Sequence, residues 1–456
     1  MAHAGRRFVL HLAYTPAAPG FLALAILGYI VCLVQLARLR TTRQSFCAGL
    51  LVGLVCFGPQ LECFWRIFGP GAIALWAILA LWIALFVSLT HAALVRFGPV
   101  RAAWLVPFLW TGLEYFRSEL YYLRFSWLNA GFAFADVGGF WFRFLGVYGV
   151  GFIVAAIGSL LLNDLWRPAK LVVIGVIFYV MTILYLASVS GPRNPANLQI
   201  AGVQLEFPAP DQIRQALDKL VSTRTNVDLI VLSEYTLDGP PSDELKNWCR
   251  DHKKFLILGG KDPAPNNNFY DSAFVISTNG EVIFKQAKCV PIQFFKDGLP
   301  ATEQKLWESP WGRIGLCLCY DLSYARVTDA LVRQGAQMLI VPTMDVMDWG
   351  RHQHELHARV APVRAAEYDI PIFRVASSGI SQSVSGSGGV RATASFPGGG
   401  EMLFFGVNLN PQRHGSLPLD RYLAPLSVGV TGGFGLWLIA ENLRRKRATR
   451  STEKPT

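Results

Sequence analysis

Charge is what this 456-residue chain has least of. Only 16% of its residues are Asp, Glu, Lys or Arg, against about 25% in ordinary soluble proteins, which argues against a wholly soluble globule. Disorder is excluded as well, because 52% of the chain is hydrophobic and 12% aromatic, and disordered segments are poor in both. Acidic residues are the scarcer sign, 31 against 42 Lys and Arg, for a net charge of +11. In so apolar a chain that excess points to arginines lining the cytoplasmic edge of a membrane rather than to nucleic acid. There is no repeat of fixed period and no P-loop. The eight cysteines include no CxxC pair, so a structural metal site has no support. Phe8–Tyr14 is too short for a standard signal peptide and has no obvious cleavage site.

What is present is a run of long apolar segments. Between Gly20 and Leu94 the only charged side chains are Arg38, Arg40, Arg43, Glu62 and Arg66. A bilayer core needs about 20 mostly apolar residues per helix. Segments 20–37, 45–63, 71–95, 101–118, 140–163 and 169–188 meet that need, and a seventh at 423–443 precedes Arg444-Arg445-Lys446-Arg447. Basic residues fall on alternate loops, at Arg38/Arg40/Arg43, Arg96/Arg101, Arg167/Lys170 and Arg444–Arg447. Basic loops stay cytoplasmic, so the 119–139 loop and the region from about 190 to 422 are expected on the opposite face. The N-terminus, with Arg6 and Arg7, is either external or preceded by a short extra span at Phe8–Tyr14. The domains read as a bundle over 1–190, a soluble unit over 191–422, and a C-terminal helix with a basic tail over 423–456.

The soluble unit alternates short apolar runs with helical segments. Asn197–Gln204, Val227–Leu232, Phe255–Leu258, Arg313–Leu318, Met338–Val341 and Pro371–Val375 read as strands. Asp211–Val221, Ser242–Lys253, Tyr324–Gln334 and His352–Tyr368 read as helices, the second capped by Ser242. Asn279-Gly280 between Asp271–Ser277 and Glu281–Phe284 is a hairpin signal. The fold class is therefore an α-helical membrane bundle plus an α/β domain.

Three places carry potential chemistry. Glu234 ends the apolar run that begins at Leu229, where an α/β protein places functional groups; alone, such a Glu is usually only solvated. Lys288 and Lys285 follow the hairpin, and a lysine beside a nucleophile stabilises an oxyanion. Cys319 lies where a strand runs straight into a helix, a turn that exposes the sulfur and aims the next backbone N–H at a developing oxyanion. Cys317, two residues earlier, reads as packed inside. His352, His354 and His357 do not share one helical face, which leaves a metal without support. Glu114 and Arg117, three residues apart in a span, form a structural pair or a headgroup site.

Glu234, Lys288 and Cys319, in that chain order and those settings, resemble the carbon–nitrogen hydrolase (nitrilase) superfamily. The resemblance continues through Gly335–Pro342, Trp349-Gly350, His357, Arg364-Ala-Ala-Glu367, Pro371, Arg374 and Gly379-Ile-Ser381. A hydrolase domain set between a helix bundle and one final helix is similar to the apolipoprotein N-acyltransferase family, as are Trp110–Arg117 and Phe125–Gly131. That resemblance implies a nitrilase-like αββα sandwich inserted before a C-terminal transmembrane helix. It implies a Glu234–Lys288–Cys319 triad, with Tyr320, Asp321 and Asp297 supporting the oxyanion, and with Trp127, Tyr121, Trp349 and His357 near substrate. It implies a monomer in the bacterial inner membrane, catalytic domain outside the cytoplasm, needing no metal or cofactor and no nucleic acid. The donor would be a membrane phospholipid and the acceptor a diacylated apolipoprotein, joined through a cysteine thioester. Three departures matter. Lys285 remains the alternative lysine, and the family's loop glutamate, eight residues after the lysine, is here Lys296 with Asp297 next to it. The N-terminus is expected to lack most of one helix. A tethered amidase, an acyltransferase for another amine and an inactive scaffold are the alternatives.

Overall fold

A computed structural model describes residues 9–14, 20–137, 139–161, 196–410 and 414–452. Arg6, Arg7 and the expected span at 169–188 lie outside the described residues. Among the described residues, three helices are long and apolar enough to cross a membrane, Gly71–Leu120, Gly139–Leu161 and Asp420–Arg447. The first 45 residues of the longest, Gly71–Tyr115, are interrupted at Gly98, where φ is 74°. Pro99 follows, and proline both lacks an N–H and disfavours helical backbone in the residue before it. The expected spans 71–95 and 101–118 are the two limbs of this broken helix. The segment expected to span at 45–63 is a helix over Thr42–Gln60 that is not among those three; Thr41 caps it by accepting the Gln44 N–H at 3.2 Å, and a short helix over Cys63–Phe68 follows. The 20–37 segment forms a short turn at Gly20–Leu24 and a helix over Ala25–Leu36.

Among the described residues the soluble unit has twelve strands in two sheets. These are β1 (Leu198–Val203), β2 (Leu229–Val231), β3 (Phe255–Ala264), β4 (Asn268–Ile276) and β5 (Val282–Ala287). There follow β6 (Leu306–Ser309), β7 (Gly312–Leu316), β8 (Met338–Thr343), β9 (Ile372–Ala376), β10 (Ser381–Val384), β11 (Val390–Ala394) and β12 (Met402–Val407). One sheet runs β12-β1-β2-β3-β4-β5 and the other β11-β10-β9-β8-β7-β6. Each has three parallel strands at its centre, β1 to β3 and β7 to β9, with antiparallel strands outside them. The hairpin expected at Asn279-Gly280 joins β4 to β5, with Gly280 at φ 77°.

Alternation along the strands explains the layers. Leu198 and Ile200 of β1 face inward to a core shared with Ile314, Ile340 and Phe373 of the other sheet. Ala201 and Val203 face outward onto Ile213, Leu217 and Trp248 of helices Pro210–Thr223 and Asp243–His252. The outer face of the second sheet is covered by helices Ala325–Arg333, Arg351–Ala358 and Val360–Tyr368. The single helix expected over His352–Tyr368 is thus two, and Pro362 in the first turn of the second has no N–H to continue the ladder. This helical layer merges with the bundle in one apolar core that joins Leu331 and Val363 to Ile30, Phe86 and Val154. The result is an αββα sandwich seated on its helical bundle.

Charged groups fasten that seat. Helix Gly139–Leu161 breaks at Gly146, φ 69°, which frees the next two backbone N–H groups. Val147 donates to Glu367 at 2.7 Å and Tyr148 to Asp420 at 3.0 Å. Carboxylates at a helix start satisfy such orphan donors. Glu367 is itself paired with Arg364 at 2.5 Å and Arg421 at 3.2 Å, all three buried. Arg421 also meets Asp329 at 2.9 Å. Glu114 and Arg117 both serve the following loop: Glu114 accepts the Ala130 N–H at 2.7 Å, and Arg117 donates to Asn129 at 2.6 Å. Of the two readings of this pair, the structure supports the structural one.

Candidate active site

The candidate site residues gather at the carboxyl ends of the parallel strands. Glu234 follows β2, Cys319 follows β7, and Asp345 follows β8. Cys319 has a left-handed backbone, φ 47°, and opens a short helical turn over Cys319–Ser323. A non-glycine residue held there costs about 1–3 kcal/mol, a cost the surrounding contacts must offset. Asp321 supplies several of them. Its carboxylate accepts the N–H groups of Cys289 and Val290 at 3.0 and 2.8 Å and, more weakly, that of Leu318 at 3.4 Å. It therefore ties the cysteine turn to the segment after Lys288. Burial pushes its carboxyl up to about 6, against the pull of those hydrogen bonds and Lys288.

Lys288 is the centre of the cluster. Its Nζ lies 2.8 Å from Glu234, 2.8 Å from Asp297 and 3.5 Å from Asp271, and the lysine is completely buried. Burial by itself would lower its pKa, but Asp297 and Glu234 hold it well above the ordinary lysine range. Lys285 lies elsewhere, more than half exposed and paired with Asp262 at 2.5 Å. Glu234 is fixed at both oxygens, by Lys288 and by the Met344 N–H at 2.7 Å. Gly259 of β3 makes room for it, since a Cβ there would stand 2.5 Å from the Glu234 Cα. Asp297 also accepts from the Tyr235 hydroxyl at 2.8 Å and the Ile292 N–H at 2.7 Å. So Asp297, one residue beyond the position of the expected glutamate, reaches the lysine; Lys296 is exposed.

Cys319 is buried, its Sγ 3.5 Å from the Met344 carbonyl. Burial, and next the Glu234 carboxylate, push its thiol well above the ordinary cysteine range, with Lys288 opposing. Such a thiol needs a base at hand to react. Glu234, Asp271 and Asp297 approach closely enough to suit a cation, but the Lys288 ammonium already lies against all three. Cys317 is fully buried in apolar surroundings.

Sequence reasoning missed two carboxylates. Asp271 lies on β4, and burial followed by Glu234 raises its pKa well above the usual range. Asp345 accepts from His357 Nδ1 at 2.8 Å and pairs with Arg374 at 2.5 Å. Burial disfavours its charge, yet His357 and Arg374 outweigh this and hold it well below the usual carboxylate range. Each carried a readable signal, one as a carboxylate in an apolar strand, the other as a strand-end acid like Glu234.

Cys319 opens into a cleft enclosing about 850 Å³, solvent included. Its walls come from both parts of the chain: Phe64, Phe68 and Leu79 from the bundle helices, Leu123–Phe125 and Trp127 from the loop, and Ile292–Phe295 and Trp349 from the hydrolase unit. Trp127 and His357 line it and stack at 4.6 Å, and Trp127 donates to Ser323 at 2.9 Å. Tyr121 is not among the lining residues; it packs on Trp82 at 5.2 Å, because the chain turns sharply after Leu120. Tyr320 forms the wall beside the cysteine, its hydroxyl bonded to the Arg124 carbonyl at 3.2 Å.

The profile of the apolipoprotein N-acyltransferase N-terminal domain matches residues 8–160, and the carbon–nitrogen hydrolase profile matches 208–394. A protein called apolipoprotein N-acyltransferase in Geobacter metallireducens is 24% identical over 450 residues, 83% of this chain and 84% of that one. The chain belongs to the apolipoprotein N-acyltransferase family. A second relative of that name, from Shewanella oneidensis, is 24% identical over 423 residues, 77% of this chain and 79% of its own. Among solved structures, Saccharomyces cerevisiae Nit3, of the nitrilase superfamily, is 19% identical with a TM-score of 0.41, covering 48% of this chain and 93% of that one. Membership places this chain among membrane proteins of the nitrilase superfamily.

Proposed function

We propose that this protein transfers an acyl chain from a membrane phospholipid to the α-amine of the diacylglyceryl-cysteine of apolipoproteins. The observation that carries the reading is the cleft: an apolar channel walled jointly by membrane helices and hydrolase loops ends at Cys319. A soluble amide needs no such wall, and an acyl chain does. The carboxylate expected at 296 is supplied to Lys288 by Asp297, which removes the motive for an amidase reading.

In the first half-reaction Glu234 takes the proton of Cys319, and the thiolate attacks the ester carbonyl. Lys288 and the Tyr320 backbone N–H stabilise the oxyanion. The C–O bond breaks, the proton passes from Glu234 to the departing lysophospholipid, and a thioester remains on Cys319. In the second, the lipoprotein α-amine attacks the thioester carbonyl, the C–S bond breaks as the amide forms, and a proton released from the amine returns through Glu234 to the freed Cys319 thiolate. No metal or organic cofactor takes part. Residues 1–190 form the bundle, 191–422 the catalytic domain outside the cytoplasm, and 423–456 the last helix and its cytoplasmic tail. The setting is the bacterial inner membrane and the acting unit a monomer. Tethering both lipid substrates and the cysteine to one surface raises their effective concentration.

The test supplies the full chain with a phospholipid and a synthetic diacylated lipopeptide. Formation of triacylated lipopeptide, lost in Cys319→Ala, is expected. Hydrolysis of small amides with phospholipid left intact would replace this reading by the amidase, and no turnover of either by the scaffold.

A further inference from the structure

We infer that Arg124 is the subsite for the anionic phosphodiester of the acyl donor, an inference that rests on the phospholipid reading above. Among the described residues lining the cleft, Arg124 is the single Asp, Glu, Lys or Arg. Its guanidinium forms no ion pair with any described residue. Its recorded contact is with the face of Tyr324, 5.7 Å from the ring centroid. Its Nε is shielded from solvent and has no acceptor. Arg124 is only partly buried, so water bears part of its charge, and a phosphate that displaces that water gives the guanidinium the ionic partner it otherwise lacks.

The backbone beneath it is held firmly. The Arg124 carbonyl accepts from the hydroxyls of Tyr320 and Tyr324, at 3.2 and 3.4 Å. Gln293 donates to the Tyr122 carbonyl at 3.0 Å, which fastens the same loop to the hydrolase unit. Tyr320 is the residue after the nucleophile, so the loop that presents the guanidinium is bonded to the turn that presents the sulfur. In a glycerophospholipid only the glycerol separates the phosphate from the ester carbonyl, so a donor whose carbonyl lies at Cys319 keeps its phosphate in the same cleft that Arg124 lines. Acyl chains then lie along Phe64, Phe68 and Leu79 while the phosphate meets Arg124. Guanidinium and phosphate make paired charge-assisted hydrogen bonds, and the contact is indifferent to what the phosphate carries beyond it. The subsite therefore reads "phosphodiester" rather than a particular headgroup.

The experiment compares two acyl donors with the full-length protein in uncharged detergent: phosphatidylethanolamine, and p-nitrophenyl palmitate, which has no phosphate. Release of lysophospholipid and of nitrophenol gives kcat/KM for each. In Arg124→Gln the ratio of phospholipid to nitrophenyl ester is expected to fall about tenfold to a hundredfold, the size of a lost charged hydrogen-bond pair. Arg124→Lys should restore part of it. Equal loss on both donors, or no loss on the phospholipid, would overturn the inference. Inorganic phosphate separates the sources: stimulation of the ester reaction by it, lost in Arg124→Gln, would make the site one for free anions and overturn the headgroup assignment. A wild-type protein that cleaves the nitrophenyl ester but no phospholipid would instead reject the donor reading itself.

Discussion

Lys288 donates to Asp297 at 2.8 Å with both side chains buried. The family pattern places a glutamate one position earlier, where this chain has the exposed Lys296. A shorter carboxylate one residue later reaches the same ammonium because the Ile292 N–H and the Tyr235 hydroxyl hold it in place. Asp297→Asn should therefore slow lysophospholipid release about tenfold to a hundredfold, in keeping with loss of a buried charged hydrogen bond. Lys296→Glu should change little. Rescue of Asp297→Asn by Lys296→Glu would show that the glutamate position still has access to the lysine.

The two candidate lysines separate cleanly. Lys285→Ala breaks an exposed pair with Asp262, worth about 0–1 kcal/mol, and should leave both stability and turnover near wild type. Lys288→Ala leaves Glu234, Asp271 and Asp297 close together without a cation, and should abolish turnover and lower Tm. Thermal unfolding and acylation assays of the two variants decide it.

The thiol offers a pH test. Burial and Glu234 raise the Cys319 pKa well above the ordinary cysteine value, so little thiolate exists near neutrality without help. Alkylation by iodoacetamide in the absence of substrate should rise with pH and show no plateau near the ordinary cysteine value of about 8.5. Removing the opposing cation in Lys288→Met should shift the profile higher still. A plateau below that value would contradict the electrostatics of the pocket.

Much of this was legible in the residues. Glu234 and Cys319 announced themselves at the ends of apolar strands, and the apolar runs at 71–95, 140–163 and 423–443 recur as apolar helices. Less legible were features set by distant partners. Asp271 looked like one acid in a strand until β5 brought Lys288 beside it. The break at Gly146 is invisible in an apolar run, because its freed N–H groups are met by Glu367 and Asp420, more than 200 residues away. The resemblance puts Tyr121 near substrate, whereas the turn after Leu120 packs it on Trp82.

Gly259 is required by proximity rather than by conformation. A methyl group there would overlap the Glu234 Cα at 2.5 Å and the Tyr235 nitrogen at 2.9 Å. Gly259→Ala should fold, at a cost of about 1–3 kcal/mol for overpacking, and lose most of its acylation rate because the carboxylate shifts. Denaturant melts and lysophospholipid release from the same preparation check both halves. Full activity with unchanged stability would mean the strand yields without moving Glu234.

The ion cluster between bundle and sandwich makes a stability prediction. Glu367→Gln leaves Arg364 and Arg421 short of a buried partner and weakens the bond that caps Val147. Removing one member of a buried pair costs about 3–5 kcal/mol. Tm in detergent should fall clearly, and limited proteolysis should cut more readily between the two parts.

The central claim is that Cys319 carries the acyl group at the end of the cleft. Intact-protein mass spectrometry of the full chain, incubated with phospholipid and without an amine acceptor, tests it most directly. The account predicts one acyl chain per protein, mapped to Cys319, removed by hydroxylamine and by a diacylated lipopeptide, and absent in Cys319→Ala. An acyl chain on another residue, or lipopeptide acylation that survives Cys319→Ala, would contradict it.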